Sequence, residues 1–432
     1  MYRAVTSIVF ASLLIALLSL VQTSDIHQSS AWTVLSKLCW KNATVRPPLL
    51  LVLVVAGWGW VVSVCQNARL EIEQVLGGVS LQTPETTYHA ALILLCILLA
   101  AHLFHFIASE TPGVTWRPWL VANCVLNLVY VVIGMLPCNV FFGSSRLSLL
   151  RALYESFIAP FAPVTFWHVI VADYLTSLAK AFSDLQLTMC ISSKIFSETS
   201  ISEGYVRSTE LWHASFDVCA NHPANAICLA LPFWMRLMQC LKVYSQTHES
   251  KNLWNALKYS TAFPLVYAGY LKKHEPSPIH TQWFVIAAIV QSTYCFIWDV
   301  HMDWGLFRQA NLGGKSPEER GTSFCGSKPA VCRLREPLLV TRSATAHVAL
   351  CIGDLLLRFV WALSVFGGVP SRGLGMFFFE CVEIVRRTVW AIFRIEWEVV
   401  SKLIYPAGTY ESVGLHSLDP RDSENVDEED EY

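Results

Sequence analysis

Arg236, Lys258, Arg358, Arg386, Arg387 and Arg394 fall inside apolar stretches of helical length, and Asp299, Asp303, Asp354 and Glu383 accompany them. A charge held in hydrocarbon costs roughly 2.5–3.5 kcal/mol on insertion scales, so such groups face one another or a hydrated path. The excess of cations over carboxylates suits an anion in that path. Arginine also presents a planar fork of donors matched to a tetrahedral oxyanion.

The spacings sharpen this reading. Asp299 and Asp303 are four apart, between Trp298 and Trp304, and on a regular α-helix they share one face. There they can hold a cation, share a proton, or pair with basic residues of other helices. His301 falls on a different face, so the stretch alone does not make a three-ligand metal site. No zinc-protease, nucleophile-elbow or phosphate-loop motif occurs either. Neither a metal nor a cofactor is expected, and the chain does not read as an enzyme. Asp354 and Arg358 are again four apart, and Trp361 continues their face. Arg386 and Arg387 are adjacent, so they point in different directions, with Glu383 before them and Trp390 and Arg394 after them at helical spacing. Asp173, Thr176 and Ser177 share a face; Arg236 lies beside Trp234; Lys258 precedes Tyr259. Singly, each of these also reads as an interfacial anchor. Together they describe a ladder of cationic donors.

The elements that must position this ladder are transmembrane helices. The chain has 432 residues, 54% hydrophobic and 15% charged, which excludes a large soluble core. A net charge of −2 gives no bulk attraction for nucleic acid. Apolar runs fall near 5–21, 48–66, 87–108, 118–137, 147–163, 164–192, 224–243, 253–271, 282–305, 344–367 and 375–400. The expected fold is therefore all-α: a polytopic bundle of about ten spans plus an N-terminal hydrophobic segment. Residues 1–46 form that segment and a cytosolic linker, 47–404 the transmembrane domain, and 405–432 an acidic, disordered tail. The runs at 147–163 and 253–271 carry internal charge and proline, which places them in the bundle interior. The first run reads equally as a signal peptide or a retained membrane segment. Lys37, Lys41 and Arg46, and the basic 306–343 loop, are expected on the cytosolic side. The 193–223 loop is then lumenal or extracellular, and Cys190 and Cys219, which bracket it, can form a disulfide there. The sequon Asn42-Ala43-Thr44 is cytosolic under this topology and lumenal if a signal peptide is cleaved.

At this point the sequence resembles the EXS-domain membrane proteins: the retroviral-receptor-type phosphate exporters of animals, the plant phosphate exporters, and a yeast Golgi protein whose loss causes defective ER retention. The resemblance spans about residues 47–400. It is strongest from Gln282 to Phe307, where an aromatic run ends in Trp298-Asp299-Val-His-Met-Asp303-Trp304-Gly305-Leu306. Further matches lie at Ala172–Leu178, Trp234–Arg236, Asn255–Ser260, Leu357–Trp361 and Glu383–Trp390. The resemblance implies an inorganic phosphate channel whose path uses Asp173, Arg236, Lys258, Tyr259, Asp299, Asp303, Arg358, Trp361, Arg386 and Arg387. The exporters carry an N-terminal SPX domain that senses inositol pyrophosphates, which this sequence lacks, and Thr176 stands where they usually have Asn. The chain therefore looks more like the SPX-less Golgi branch, which returns lumenal phosphate to the cytosol. Flux is expected to be insensitive to inositol pyrophosphates.

The expected partners are inorganic phosphate, membrane lipid, a second copy of the chain in a homodimer, and Golgi glycosylation enzymes. The favoured location is the Golgi membrane, with plasma-membrane efflux as the alternative. Two rivals remain: a non-transporting scaffold or cargo receptor for retained Golgi or ER proteins, and a CDP-alcohol phosphotransferase. The second shares the paired aspartates but needs an upstream D-G-x-x-A-R, which is absent.

Overall fold

The computed structural model describes residues 6–13, 15, 45–77, 79, 82–110, 142–198, 215–307, 309–310, 334–335, 337–367, 374–404 and 410–411. The expected span at 118–137, most of the N-terminal segment with Lys37 and Lys41, the sequon, the acidic tail apart from residues 410–411, and most of the basic 306–343 loop lie outside them.

The described chain is a helix bundle. Its elements are α1 (Arg46–Asn67), α2 (Ile72–Val75), α3 (Pro84–Glu110), α4 (Gly143–Phe157), α5 (Phe166–Ser177), α6 (Ala179–Glu198), α7 (Pro223–Thr247), α8 (Ser250–Ser260), α9 (Ala262–His274), α10 (Pro278–Trp298), α11 (Ala344–Arg358), α12 (Ala362–Val365) and α13 (Leu374–Val399). Two π-helical turns, Asp299–Asp303 and Val400–Ile404, extend α10 and α13. A two-residue antiparallel bridge pairs Gln309–Ala310 with Tyr410–Glu411.

Local signals set the helix starts. Proline occupies the first turn of α1, α7 and α10, where its missing N–H costs no helical bond. Ser277 Oγ accepts from the His280 N–H at the start of α10, and Ser343 Oγ from the Ala346 N–H at the start of α11.

Five helical segments among the described residues are long and apolar enough to cross a membrane: Arg46–Asn67, Pro84–Ala101, Pro223–Thr247, Pro278–Asp303 and Ala344–Val365. Four of the other expected runs are built differently. The 164–192 run divides at Leu178 into α5 and α6, and the 253–271 run divides at Thr261 into α8 and α9. The 147–163 run is a 15-residue helix that ends before Pro160. Helix α13 has the length of a span, 26 residues, but carries many charges. It lies at the centre, packed against α1, α2, α5 and α11. Helices α4, α8 and α9, by contrast, bury one face each and expose large apolar residues on the other, among them Tyr154, Phe157, Leu253, Trp254 and Tyr267, which corrects the expectation that the 147–163 and 253–271 runs lie in the bundle interior.

Helices α1 and α13 run parallel. Arg46 approaches Glu380, Leu50 packs on Ile384, and a Cβ on Gly57 would lie 2.6 Å from Thr388 Oγ1. The far end of α13 meets the 304–340 segment instead: Arg335 Nη2 donates to Glu396 Oε2 (2.8 Å). The start of α1 therefore lies at the opposite end of the bundle from Arg335 and residues 337–340, the described part of the 306–343 loop there, which corrects the expectation that both face the cytosol. Arg46 is not a loop charge. It is buried and bonded to Asp184 Oδ2 at 2.6 Å. Arg335 is likewise buried, and so is no member of an exposed basic patch.

Cys190 and Cys219 are joined by a disulfide. It lies at the end opposite the 304–340 segment, beside the α9–α10 turn, where Lys273 Nζ donates to the Ala220 carbonyl (2.5 Å).

Candidate functional site

The ladder of charges lies where helices break. Thr176 and Ser177 end α5, Lys258 and Tyr259 stand in the last turn of α8, and Arg358 closes α11. Asp299 opens the π-turn that follows α10. A helix end leaves backbone carbonyls without helical partners, and its negative dipole end favours a nearby cation. Lys258 and Arg358 occupy such ends. Local hydroxyls cap some of the freed carbonyls: Ser292 Oγ donates to the Arg358 carbonyl (3.1 Å) and Thr261 Oγ1 to the Lys258 carbonyl (2.6 Å).

These breaks surround a cavity of about 320 Å³. Lys258, Arg358, Arg386 and Arg387 line it, and Asp299 and Glu383 are the carboxylates on its wall. Tyr259, Trp361, Thr176, Gln291, Ser292 and Cys295 add polar or polarisable surface, and Phe233, Leu265, Phe284 and Ala288 add apolar surface. The lining runs along α10 from Phe284 through Ser292 to Asp299.

Carboxylates hold two of the arginines in place. Arg358 donates through Nη2 to Asp299 and through Nε to Asp354 Oδ2 (3.0 Å). Arg386 forms a two-pronged pair with Glu383 (2.8 and 2.7 Å) and reaches Asp354 Oδ1 (3.1 Å). Asp354, buried behind the wall, thus bridges both guanidinium groups. Ser177 Oγ donates to Glu383 Oε1 (2.6 Å).

The other two cations are less neutralised. Arg387 donates to Ser177 Oγ (2.8 Å) and Thr176 Oγ1 (3.2 Å), and its guanidinium lies 4.6 Å from the Trp390 ring centre. Its nearest carboxylate oxygen, on Glu383, is 4.0 Å away. The Lys258 ammonium stands 4.4 Å from the Tyr259 ring centre and 5.2 Å from that of Trp298, with Asp303 Oδ2 at 3.9 Å. Both retain donors and charge for a ligand.

Seven of the ten residues singled out from sequence therefore line one cavity: Lys258, Tyr259, Asp299, Arg358, Trp361, Arg386 and Arg387. Asp173 and Arg236 lie behind it. Asp173 Oδ1 accepts from Arg236 Nε (3.0 Å) and Tyr259 Oη (2.5 Å), and Arg236 Nη1 donates to Gln239 Oε1 (2.6 Å). The pair aims the Tyr259 hydroxyl and closes the wall. Asp303 also leaves the face of Asp299. The expected common face assumed an α-helix, but the Trp304 N–H bonds the Asp299 carbonyl five residues back (2.8 Å), the pitch of a π-turn. Asp299 turns to the arginines. Asp303 turns to Trp298 and Trp390, whose indole Nε1–H groups donate to it (3.2 and 3.1 Å). Gly305 ends this turn at φ +55°, and a Cβ there would lie 2.6 Å from the Trp397 ring.

Trp361 lies beyond the end of α11 rather than on its face, and its indole donates to Ser292 Oγ (3.1 Å). Sequence reasoning missed Gln291 and Ser292. Their signal was an adjacent polar pair inside an apolar run.

Comparison with known proteins gives relatives for this arrangement. The Xenotropic and polytropic retrovirus receptor 1 homolog of Xenopus laevis is 30% identical over 293 residues, covering 63% of this chain and 38% of the relative. Solute carrier family 53 member 1 of Homo sapiens is 30% identical over 276 residues, 61% of this chain and 36% of the relative. The Danio rerio receptor 1 homolog is 32% identical over 275 residues, with the same coverage. The chain thus spans less than two fifths of the length of these relatives. The EXS family model matches residues 43–400, most of the chain and all of the cavity, and the chain belongs to the EXS family.

Proposed function

We propose that this chain conducts inorganic phosphate across a membrane through the cationic cavity, from a lumenal compartment to the cytosol. One observation carries the reading: four cations face two carboxylates around about 320 Å³, and two of them, Lys258 and Arg387, have their nearest carboxylate oxygen beyond hydrogen-bond distance, at 3.9 and 4.0 Å. Arg and Lys donors replace the hydration that the anion loses. Asp299, Asp354 and Glu383 hold the guanidinium groups apart and moderate the field. Conduction needs binding strong enough to admit the ion and weak enough to release it. No bond of the substrate is made or broken. The name solute carrier, borne by a relative, fits this reading.

The disulfide bears on sidedness. Disulfides persist in oxidising compartments, so Cys190–Cys219 supports a lumenal or extracellular face at its end of the bundle. The lumen of the Golgi is one such compartment; export at the plasma membrane runs the opposite way through the same cavity.

Radiolabelled phosphate flux in proteoliposomes of the purified chain tests the proposal. Arg358→Ala should bring flux to the protein-free background while membrane abundance stays near normal. Wild-type flux in that variant would refute the assignment.

A further inference from the structure

We infer that Asp303 occupies a second oxyanion station as a tethered anion, immediately beyond the cavity, and that a permeating oxyanion must displace it. This rests on the cavity being an oxyanion site.

The donor set around Asp303 is that of an anion site. Two indole N–H groups converge on its two oxygens, Trp298 Nε1 on Oδ1 at 3.2 Å and Trp390 Nε1 on Oδ2 at 3.1 Å. Two cations stand just outside hydrogen-bond distance: Lys258 Nζ at 3.9 Å from Oδ2 and Arg394 Nε at 3.6 Å from Oδ1. The Asp303 side chain is 14% exposed. A carboxylate engages the two neutral donors and leaves both charges short of contact. The donor set is therefore wider than a carboxylate satisfies, and a tetrahedral oxyanion has the extra oxygens to reach the cations.

Its place in the fold fits a hand-over. Lys258 lines the cavity and also faces Asp303, so it belongs to both stations. On the far side, Arg394 donates to Glu398 Oε2 (2.6 Å), and Lys402 bonds Glu398 Oε1 (2.6 Å), carrying the charge alternation to the end of α13. In the ground state Asp303 fills the station. A competing internal anion keeps the second station from trapping the substrate, which conduction requires.

Equilibrium binding of inorganic phosphate to the purified full chain tests this. Wild type should bind one phosphate per chain and Asp303→Ala two. Adding Arg394→Gln to Asp303→Ala should return the count to one. Asp303→Ser serves with the same expectation if Asp303→Ala is not monodisperse. An unchanged count in the Asp303 variants would overturn the inference. So would a second site that survives Arg394→Gln. If wild type binds none, the cavity reading fails and this inference with it; a count that stays at one in the Asp303 variants fails this inference alone.

Discussion

At the residue scale, the separation between neutralised and available cations decides what the cavity can do. Arg358 and Arg386 are each tied to two carboxylates, so they are fixed in orientation. Arg387 is held by two hydroxyls and a ring, which position it without cancelling its charge. Arg387→Lys keeps the charge but loses the fork that spans Thr176 and Ser177. It should cut flux by about tenfold, one such lost contact being worth ~1–1.5 kcal/mol. Arg387→Gln should cut it further. Flux rates in matched proteoliposomes would check the order, and equal activity of the two variants would argue that the fork matters and the charge does not.

At the element scale, helix breaks place the chemistry. The sequence made Lys258 and Pro264 visible as interruptions of an apolar run, and the structure ends α8 and begins α9 between them. The π-turn was not legible, because Asp299 and Asp303 have the spacing of an α-helical face and a π-turn leaves no compositional mark. Nor was its brace. Arg335 follows a long polar loop, so it read as a loop charge. In the fold its Nε donates to the Trp304 carbonyl (3.0 Å), its Nη1 to the Pro337 carbonyl (2.7 Å) and its Nη2 to Glu396. Glu396 Oε1 in turn accepts the Leu339 and Val340 N–H groups (2.5 and 2.9 Å). The buried pair pins the π-turn to α13. Arg335→Ala leaves Glu396 charged and buried without its partner, a cost of about 3–5 kcal/mol. The melting temperature of the purified variant should fall clearly below that of wild type; an unchanged melting temperature would remove the brace from the account.

At the scale of the whole molecule, sequence alone carried the fold class and the ladder of charges, because a charge inside an apolar run demands a protein-lined environment. It did not carry the sidedness of α1. The positive-inside count took Arg46 as a cytosolic charge, whereas burial against Asp184 removes it from any such count. It also did not separate lining residues from supporting ones: Asp173 and Arg236 have the same composition signal as Asp299 and Arg358, and only packing sets them behind Tyr259. The proposal for the whole molecule is that the bundle holds an oxyanion among Lys258, Arg358, Arg386 and Arg387. An experimental structure of the full chain in lipid nanodiscs with inorganic phosphate tests it most directly. Tetrahedral density is expected in the cavity within hydrogen-bond distance of at least three of these four side chains. Phosphate bound elsewhere, or a lipid chain filling the cavity in its place, would contradict it.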